Sequence, residues 1–534
     1  MAESKILFAY HLDLKRAMPT TEYVKRIVGQ LAGWGFNAIV MELENKFRFR
    51  NHPMISHPSA PTETELQEML EAMRAKGIEV IPLIQTLGHA EYVLTKPGYE
   101  QFRVAPDVEA VYDPMSDKAK ALIKDLIDDA IDRLKPKRFF HVGGDETHGL
   151  EKSEAGKAII EKEGVGGLYL RHMLPILEHV RSRGLRPMIW CDILLAHPEV
   201  VERVPRDTVI CDWDYWTGGF RTHQTHVWGQ GRLDWAAIQK LSGPTRDLLD
   251  RFAVDNHTRQ DGTLRGFFYF DVLADRGFEV MTCSAARCYG DNVGVADHGV
   301  HMPNAFHSAR KAATSERGIG NLVTSWAVRH DHPETTWPAV FAAAAALRQE
   351  QPFDREKLIR AFTKDFFGRE LPELSEAAKL AAEKVPFSES WSILNAKATL
   401  TKGGDPIAEL KAQLEGQPSG LKAELDRIGL CRKGFDRCRT MLSLAKRRAA
   451  ANADSLDFWV EGAELMSFYA DFATAALRDT LAAQGADLQK RLRELRGHTA
   501  ELFGRTYHPS SVVEELDLRY GLHEALLQRA STTS

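Results

Sequence analysis

The 534-residue sequence predicts an α/β fold, a (β/α)8 barrel followed by an all-α region. Three observations predict it. Eight short apolar runs alternate with helix-compatible amphipathic segments up to about residue 350. Several of these runs follow a glycine placed where a helix would end, and strand-like runs vanish after about Pro352. A recurring helix, glycine and buried strand implies parallel βα units, and a count of eight favours the closed barrel over the doubly wound sheet with the same local pattern.

The first run is ILFAYHLD, starting near residue 5. Gly35 precedes FNAIVMEL, Gly77 precedes IEVIPLI, Gly184 precedes LRPMIW, Gly277 precedes FEVMTC and Gly318 precedes IGNLVTSW. Glycine suits a left-handed cap between helix and strand because it has no Cβ to clash at positive φ. KRFFHVGG after Pro136 and TVICDWDY after Pro205 complete the eight, so strands begin near residues 5, 36, 78, 137, 185, 207, 278 and 319. Segments such as TTEYVKRIVGQLAGW, TETELQEMLEAMRAKG and SDKAKALIKDLIDDAIDRL fit helices between them.

Residues 1–350 therefore read as the barrel, with an insertion at about 217–265 too long for an ordinary connection. It carries Trp228, Trp235 and several histidines, and suits a lid or specificity element as well as a peripheral decoration. Residues 351–534 read as helices packed in a bundle. LKAELDRIGLCRKGFDRCRTMLSLAKRRAAA and LDFWVEGAELMSFYADFATAALRDTLAAQ carry apolar residues at three- and four-residue steps. This region could pack on the barrel, close one side of a site or form the contact of a homodimer.

A barrel concentrates its chemistry at the C-terminal ends of its strands. Polar and aromatic residues collect there: His11 and Asp13, Glu42 and Glu44, Gln85 with His89, Trp190 and Asp192, Trp213 with Tyr215 and Trp216, and Trp326. The densest stretch is FFHVGGDETHGL, Phe139 to Leu150, where two glycines lead into adjacent acids, Asp145 and Glu146, between His141 and His148. Three readings fit the pair. It could be a structural cap or salt-bridge partner. It could join His141 and His148 in a metal site, although strand alternation sets His141 and Asp145 on one face and Glu146 and His148 on the other. It could also cleave glycosides. Adjacent carboxyls cannot flank a sugar, yet they serve a 2-acetamido sugar that supplies its own nucleophile, and burial beside a second carboxylate would raise the acid's pKa.

HVGGDE resembles the signature of family 20 glycoside hydrolases, the β-N-acetylhexosaminidases. AYHLDLK, GIEVIPLIQTLGHAEYVL, MIWCDIL and WDYW, in that order through the barrel, resemble most the hexosaminidase D branch. The resemblance implies a retaining exo-β-N-acetylhexosaminidase with no metal and no organic cofactor. Glu146 would be the general acid and then base, Asp145 would orient the acetamido group, and Tyr215 would donate to the acetamido oxygen. Trp190, Trp213 and Trp326 would wall the sugar, and His89 would support Glu146, with Glu44 and His141 behind.

The sequence also departs from the family. Most members carry Arg-Gly in the first strand and Trp-x-Glu near the eighth, where this chain has ILFAYHLD and Trp326-Ala327-Val328. Those departures leave room for a barrel that binds an amino-sugar glycan without cleaving it; in an enzyme the remaining sugar hydroxyls must meet other groups, with His11, Asp13, Glu42, Asp192 and Asp331 as candidates. The branch resemblance tilts the expected sugar toward N-acetylgalactosamine. The expected partner is thus a small glycan or glycoconjugate. A net charge of −5 with mixed signs argues against nucleic acid. MAESKILFAYHLDLK lacks signal-peptide features, the apolar run at Trp337 to Leu347 is too short to span a bilayer, and six scattered cysteines form no CxxC pair. A cytoplasmic protein with reduced thiols and no membrane partner is the expectation.

Overall fold

A computed structural model describes residues 6–288, 290–329, 331–348 and 352–532. Its eight parallel strands close on themselves: β1 (Leu7–Asp13), β2 (Ala38–Glu42), β3 (Glu79–Leu83), β4 (Phe139–His141), β5 (Arg186–Trp190), β6 (Val209–Trp213), β7 (Val280–Arg287) and β8 (Gly318–Ser325). β1 closes the ring by pairing with β2 on one side and β8 on the other. Alternate side chains point inward and fill the lumen, including Leu7, Ala9, Val40, Ile81, Phe139, Met188, Trp190 and Met281. The lumen is a packed core, so a ligand can enter only at the rim.

Polar caps start the helices between strands. Thr20 accepts from the Tyr23 N–H, Thr62 forms a reciprocal capping box with Glu65, and Ser116 accepts from the Ala119 N–H. Gly35, Gly77, Gly184 and Gly277 take positive φ as expected. Gly318 does not: it is already the first residue of β8, and a Cβ there would lie 2.2 Å from the Ala312 carbonyl oxygen. Close approach of backbone, rather than a left-handed turn, demands glycine at that position.

The 217–265 insertion is structured. It folds into short antiparallel pairs, including Gln224–Val227 against Gly231–Asp234, and three helices, Trp235–Ile238, Gly243–Phe252 and Asn256–Asp261. Beyond Arg355 every regular element among the described residues is a helix. Several grip the barrel rim. The Trp459 indole donates to the Glu334 carbonyl at 3.1 Å, while the Thr20 and His508 N–H groups bond the Thr506 and Met18 carbonyls, each at 2.8 Å. These bonds tie the loop after β1 to the last helix pair. No helix among the described residues is long and apolar enough to cross a membrane.

Candidate active site

β4 stops at His141, and Gly143 and Gly144 take φ of 66° and 91°. A Cβ on Gly143 would stand 2.0 Å from Gln85 Oε1, and one on Gly88 would stand 2.2 Å from the Asp145 carbonyl oxygen. The glycines thus let the loops after β3 and β4 pass at backbone contact. Thr86 Oγ1 locks them by donating to the Val142 carbonyl at 2.7 Å. Because the chain leaves strand geometry before Asp145, the alternation that set His141 and Asp145 apart from Glu146 does not apply.

The result is one acidic corner. His89 Nε2 lies 3.4 Å from Asp145 Oδ2 and 3.2 Å from Glu146 Oε2. Burial disfavours the charged imidazole, but the Asp145 charge and hydrogen bonds to both acids outweigh it and hold the His89 pKa well above its ordinary value. Both His89 and Glu146 have positive φ, 52° and 43°, a cost that concentrates at functional sites. Asp192 Oδ2 steadies this turn by accepting the Glu146 N–H at 2.9 Å. Burial, then the Asp145 charge, pushes Asp192 up to about 7.

The two acids differ in exposure. The Asp145 side chain is 8% exposed and that of Glu146 44%. Among the described residues, Asp145 Oδ1 is buried without a hydrogen-bond partner, an acceptor awaiting a donor. Glu146 reaches solvent, where a proton can pass to a departing group.

An aromatic wall adjoins this corner. Trp213 donates its indole N–H to Asp192 Oδ1 at 3.4 Å and stacks on Tyr215, centroids 5.1 Å apart. Tyr215 lies 6.4 Å from Trp326, which lies 6.0 Å from Trp190, itself 4.4 Å from His141. Trp190 and His141 are fully buried and floor the wall, whereas Trp213 and Trp326 are partly open. Burial raises the Tyr215 pKa well above 10, so its hydroxyl keeps the proton it would donate.

Two of the other predicted rim residues, His11 and Glu42, are bound to each other. His11 Nε2 meets Glu42 Oε2 at 2.9 Å, and Gln85 donates to Glu42 Oε1 at 3.1 Å. Burial alone would raise Glu42; the His11 contact, Lys15 and Gln85 instead hold it at about 2. Asp13 accepts the Ala327 N–H at 2.8 Å and the Lys15 N–H at 2.7 Å, tying β1 to the loop after β8. Asp331 is fully buried, and burial lifts it to about 7. Sequence reasoning missed Lys15, whose ammonium bridges Glu44 at 3.0 Å and Glu91 at 2.7 Å. It also missed Arg287, buried at the end of β7 and donating to Ser325 Oγ at 3.0 Å. AYHLDLK carried a signal for the lysine, a cation two residues beyond a strand end, and the run of eight buried residues in β7 hid the arginine. No three His, Cys, Asp or Glu side chains converge as a metal site among the described residues.

Residues 9–231 match the glycosyl hydrolase family 20 catalytic domain. Over this stretch the barrel is similar to that family. Hexosaminidase D from Bos taurus is 32% identical over 213 residues, 38% of this chain and 62% of that protein. Hexosaminidase D from Homo sapiens is 29% identical over 213 residues, 38% of this chain and 44% of that protein. The chain thus spans less than two thirds of either relative. The X-ray structure of Flavobacterium johnsoniae chitobiase aligns over 91% of this chain and 74% of its own at 15% identity, TM-score 0.49. The family 20 match contains Asp145, Glu146, His89 and Tyr215 and ends within the insertion, before β7 and β8.

Proposed function

We propose that the barrel removes terminal β-linked N-acetylhexosamine from glycans, with retention of configuration and with the substrate's acetamido oxygen as nucleophile. One observation carries the reading: Asp145 and Glu146 both contact a single imidazole nitrogen, at 3.4 and 3.2 Å. Carboxyls gathered on one histidine cannot stand on opposite sides of a sugar, as hydrolysis by two enzymic carboxylates requires. The second nucleophile then comes from the substrate.

Glu146 gives its proton to the glycosidic oxygen as the acetamido oxygen attacks the anomeric carbon, forming a cyclic oxazolinium and releasing the leaving alcohol. Asp145 Oδ1 takes the amide N–H, and the Tyr215 hydroxyl donates to the acetamido oxygen. Water, deprotonated by Glu146, then opens the ring at the anomeric carbon. Two inversions give retention. Trp213 and Trp326 exclude water from the acetamido methyl and strengthen these charge contacts.

Aryl β-N-acetylgalactosaminide and β-N-acetylglucosaminide, assayed beside the matching sugars without the 2-acetamido group, test the proposal. Turnover of the acetamido sugars alone is expected, and their ratio reads the 4-hydroxyl preference, expected to favour the galacto sugar. Equal turnover of sugars lacking the acetamido group would falsify substrate assistance.

A further inference from the structure

The insertion builds an open cavity beside the aromatic wall. Its volume is about 470 Å³, and Trp216, Thr222, His223, Gln224, Arg232 and Asp234 line it together with Thr225. That is within the size of small-molecule pockets, roughly 300–1,000 Å³. Trp216 forms the side nearest the barrel, its ring 5.9 Å from Trp213 and 6.3 Å from Tyr215. Through Trp213 and Asp192 the cavity is two side chains from the Glu146 backbone.

Arg232 gives this cavity its chemistry. Its guanidinium lies 5.8 Å from the Trp216 ring centroid and has no ion pair among the described residues. The insertion's Arg221 and Arg265, by contrast, both pair with Asp255. No neighbouring acid makes a direct ion pair with it among the described residues: Asp234 caps a helix by accepting the Ala237 N–H at 2.8 Å, and Asp214, although the Arg232 charge acts on its carboxyl, accepts the Trp216 and Thr217 N–H groups at 3.2 and 2.9 Å. An indole face takes the apolar face of a pyranose, and a guanidinium takes an anion through a planar fork of donors. Thr222 and Gln224 also line the cavity, and their side chains are of the kind that bonds hydroxyls.

We infer that the insertion binds an acidic sugar, the residue to which the cleaved N-acetylhexosamine is attached. This rests on the hydrolase reading above. It gives the insertion a reason to hold an exposed arginine over a tryptophan: the anion of the leaving sugar supplies the direct ion pair that the described residues do not.

The test uses the full chain and four substrates carrying one β-linked N-acetylhexosamine on, in turn, glucose, glucuronic acid, glucose 6-sulfate and an aryl group. The kcat/KM for at least one acidic disaccharide should exceed that for the glucose disaccharide by about 10-fold or more, the scale of one charge-assisted hydrogen bond. Whichever acidic arm rises identifies carboxylate or sulfate. Arg232→Gln should bring the acidic-to-neutral ratio to near one, and Arg232→Lys should restore part of it. Equal rates on neutral and both acidic disaccharides overturn the inference, as does a ratio that survives Arg232→Gln. If the aryl glycoside and every disaccharide go uncleaved, the hydrolase reading fails instead. Calorimetric binding of the acidic and neutral disaccharides to the wild type and Arg232→Gln then decides the cavity: selective, Arg232-dependent binding supports it and equal binding overturns it.

Discussion

His89 joins two carboxylates to which the proposed mechanism gives different tasks, and single substitutions separate them. Glu146→Gln removes the proton donor, so turnover of a glycoside with a poor leaving group should fall by about 10²–10⁴-fold. An aryl glycoside whose phenol leaves without protonation should lose far less in its first step. Asp145→Asn keeps size and hydrogen bonding but offers the acetamido N–H a misdirected amide; kcat should drop on the order of 10²-fold whatever the leaving group. Stopped-flow measurement of phenol release checks both. Identical leaving-group dependence in the two variants would end the division of labour. The sequence drew attention to these acids because HVGGDE is a contiguous signal, and the structure sets both against His89. The lysine that bridges Glu44 and Glu91 was not, since the partners lie on three different loops and meet only when the barrel closes.

Elements carry the next level of constraint. All eight strands were legible because apolar runs bounded by glycine or proline mark buried parallel strands. The orientation of Asp145 and Glu146 was not, because strand periodicity ends where β4 ends, two residues before Gly143. That termination depends on Gly143, so Gly143→Ala is a direct probe. Its methyl meets Gln85 Oε1 at 2.0 Å in a backbone of φ 66°, and a left-handed non-glycine residue adds roughly 1–2 kcal/mol. Thermal unfolding should show that modest loss, while kcat/KM falls on the order of 10²-fold because the Asp145 loop moves against His89. A variant with lowered stability and unchanged kcat/KM would mean that the loop junction does not set the site. At the other edge of the rim, the helices after Arg355 hold the β1 loop through Thr506 and His508, contacts that amphipathic patterns alone could not assign.

Across the whole molecule the buried titrating groups predict how stability follows pH. Burial raises Asp192 and Asp331 to about 7 and Asp212 and Glu44 to about 8, so each folded-state carboxyl holds its proton longer than in the unfolded chain. Such groups stabilise the fold fully below the unfolded carboxyl pKa, roughly 4, and lose that contribution as pH rises through 7 to 8. Buried histidines act in another range. His172 and His307 are lowered to about 4 and His298 and His523 to about 3, so their contribution is present above roughly pH 6.5 and is lost only on acidification. By pH 7.5 those histidines are largely neutral in both states, and from there to pH 8.5 the four carboxyls set the slope, joined by His89, whose raised pKa has the same sign. Cys211 opposes them by at most one proton: burial would raise it, but Cys283 and His141 hold it at about 6. The Tm should therefore fall across this window. Asp212 separates the stability effect from catalysis, because its carboxyl is buried against Cys191 Sγ at 3.7 Å, away from the Asp145 corner. Asp212→Asn should flatten the dependence by up to one proton. Calorimetric unfolding at pH 7.5, 8.0 and 8.5 checks this; an unaltered slope in the variant would show that Asp212 is already ionised in the folded protein.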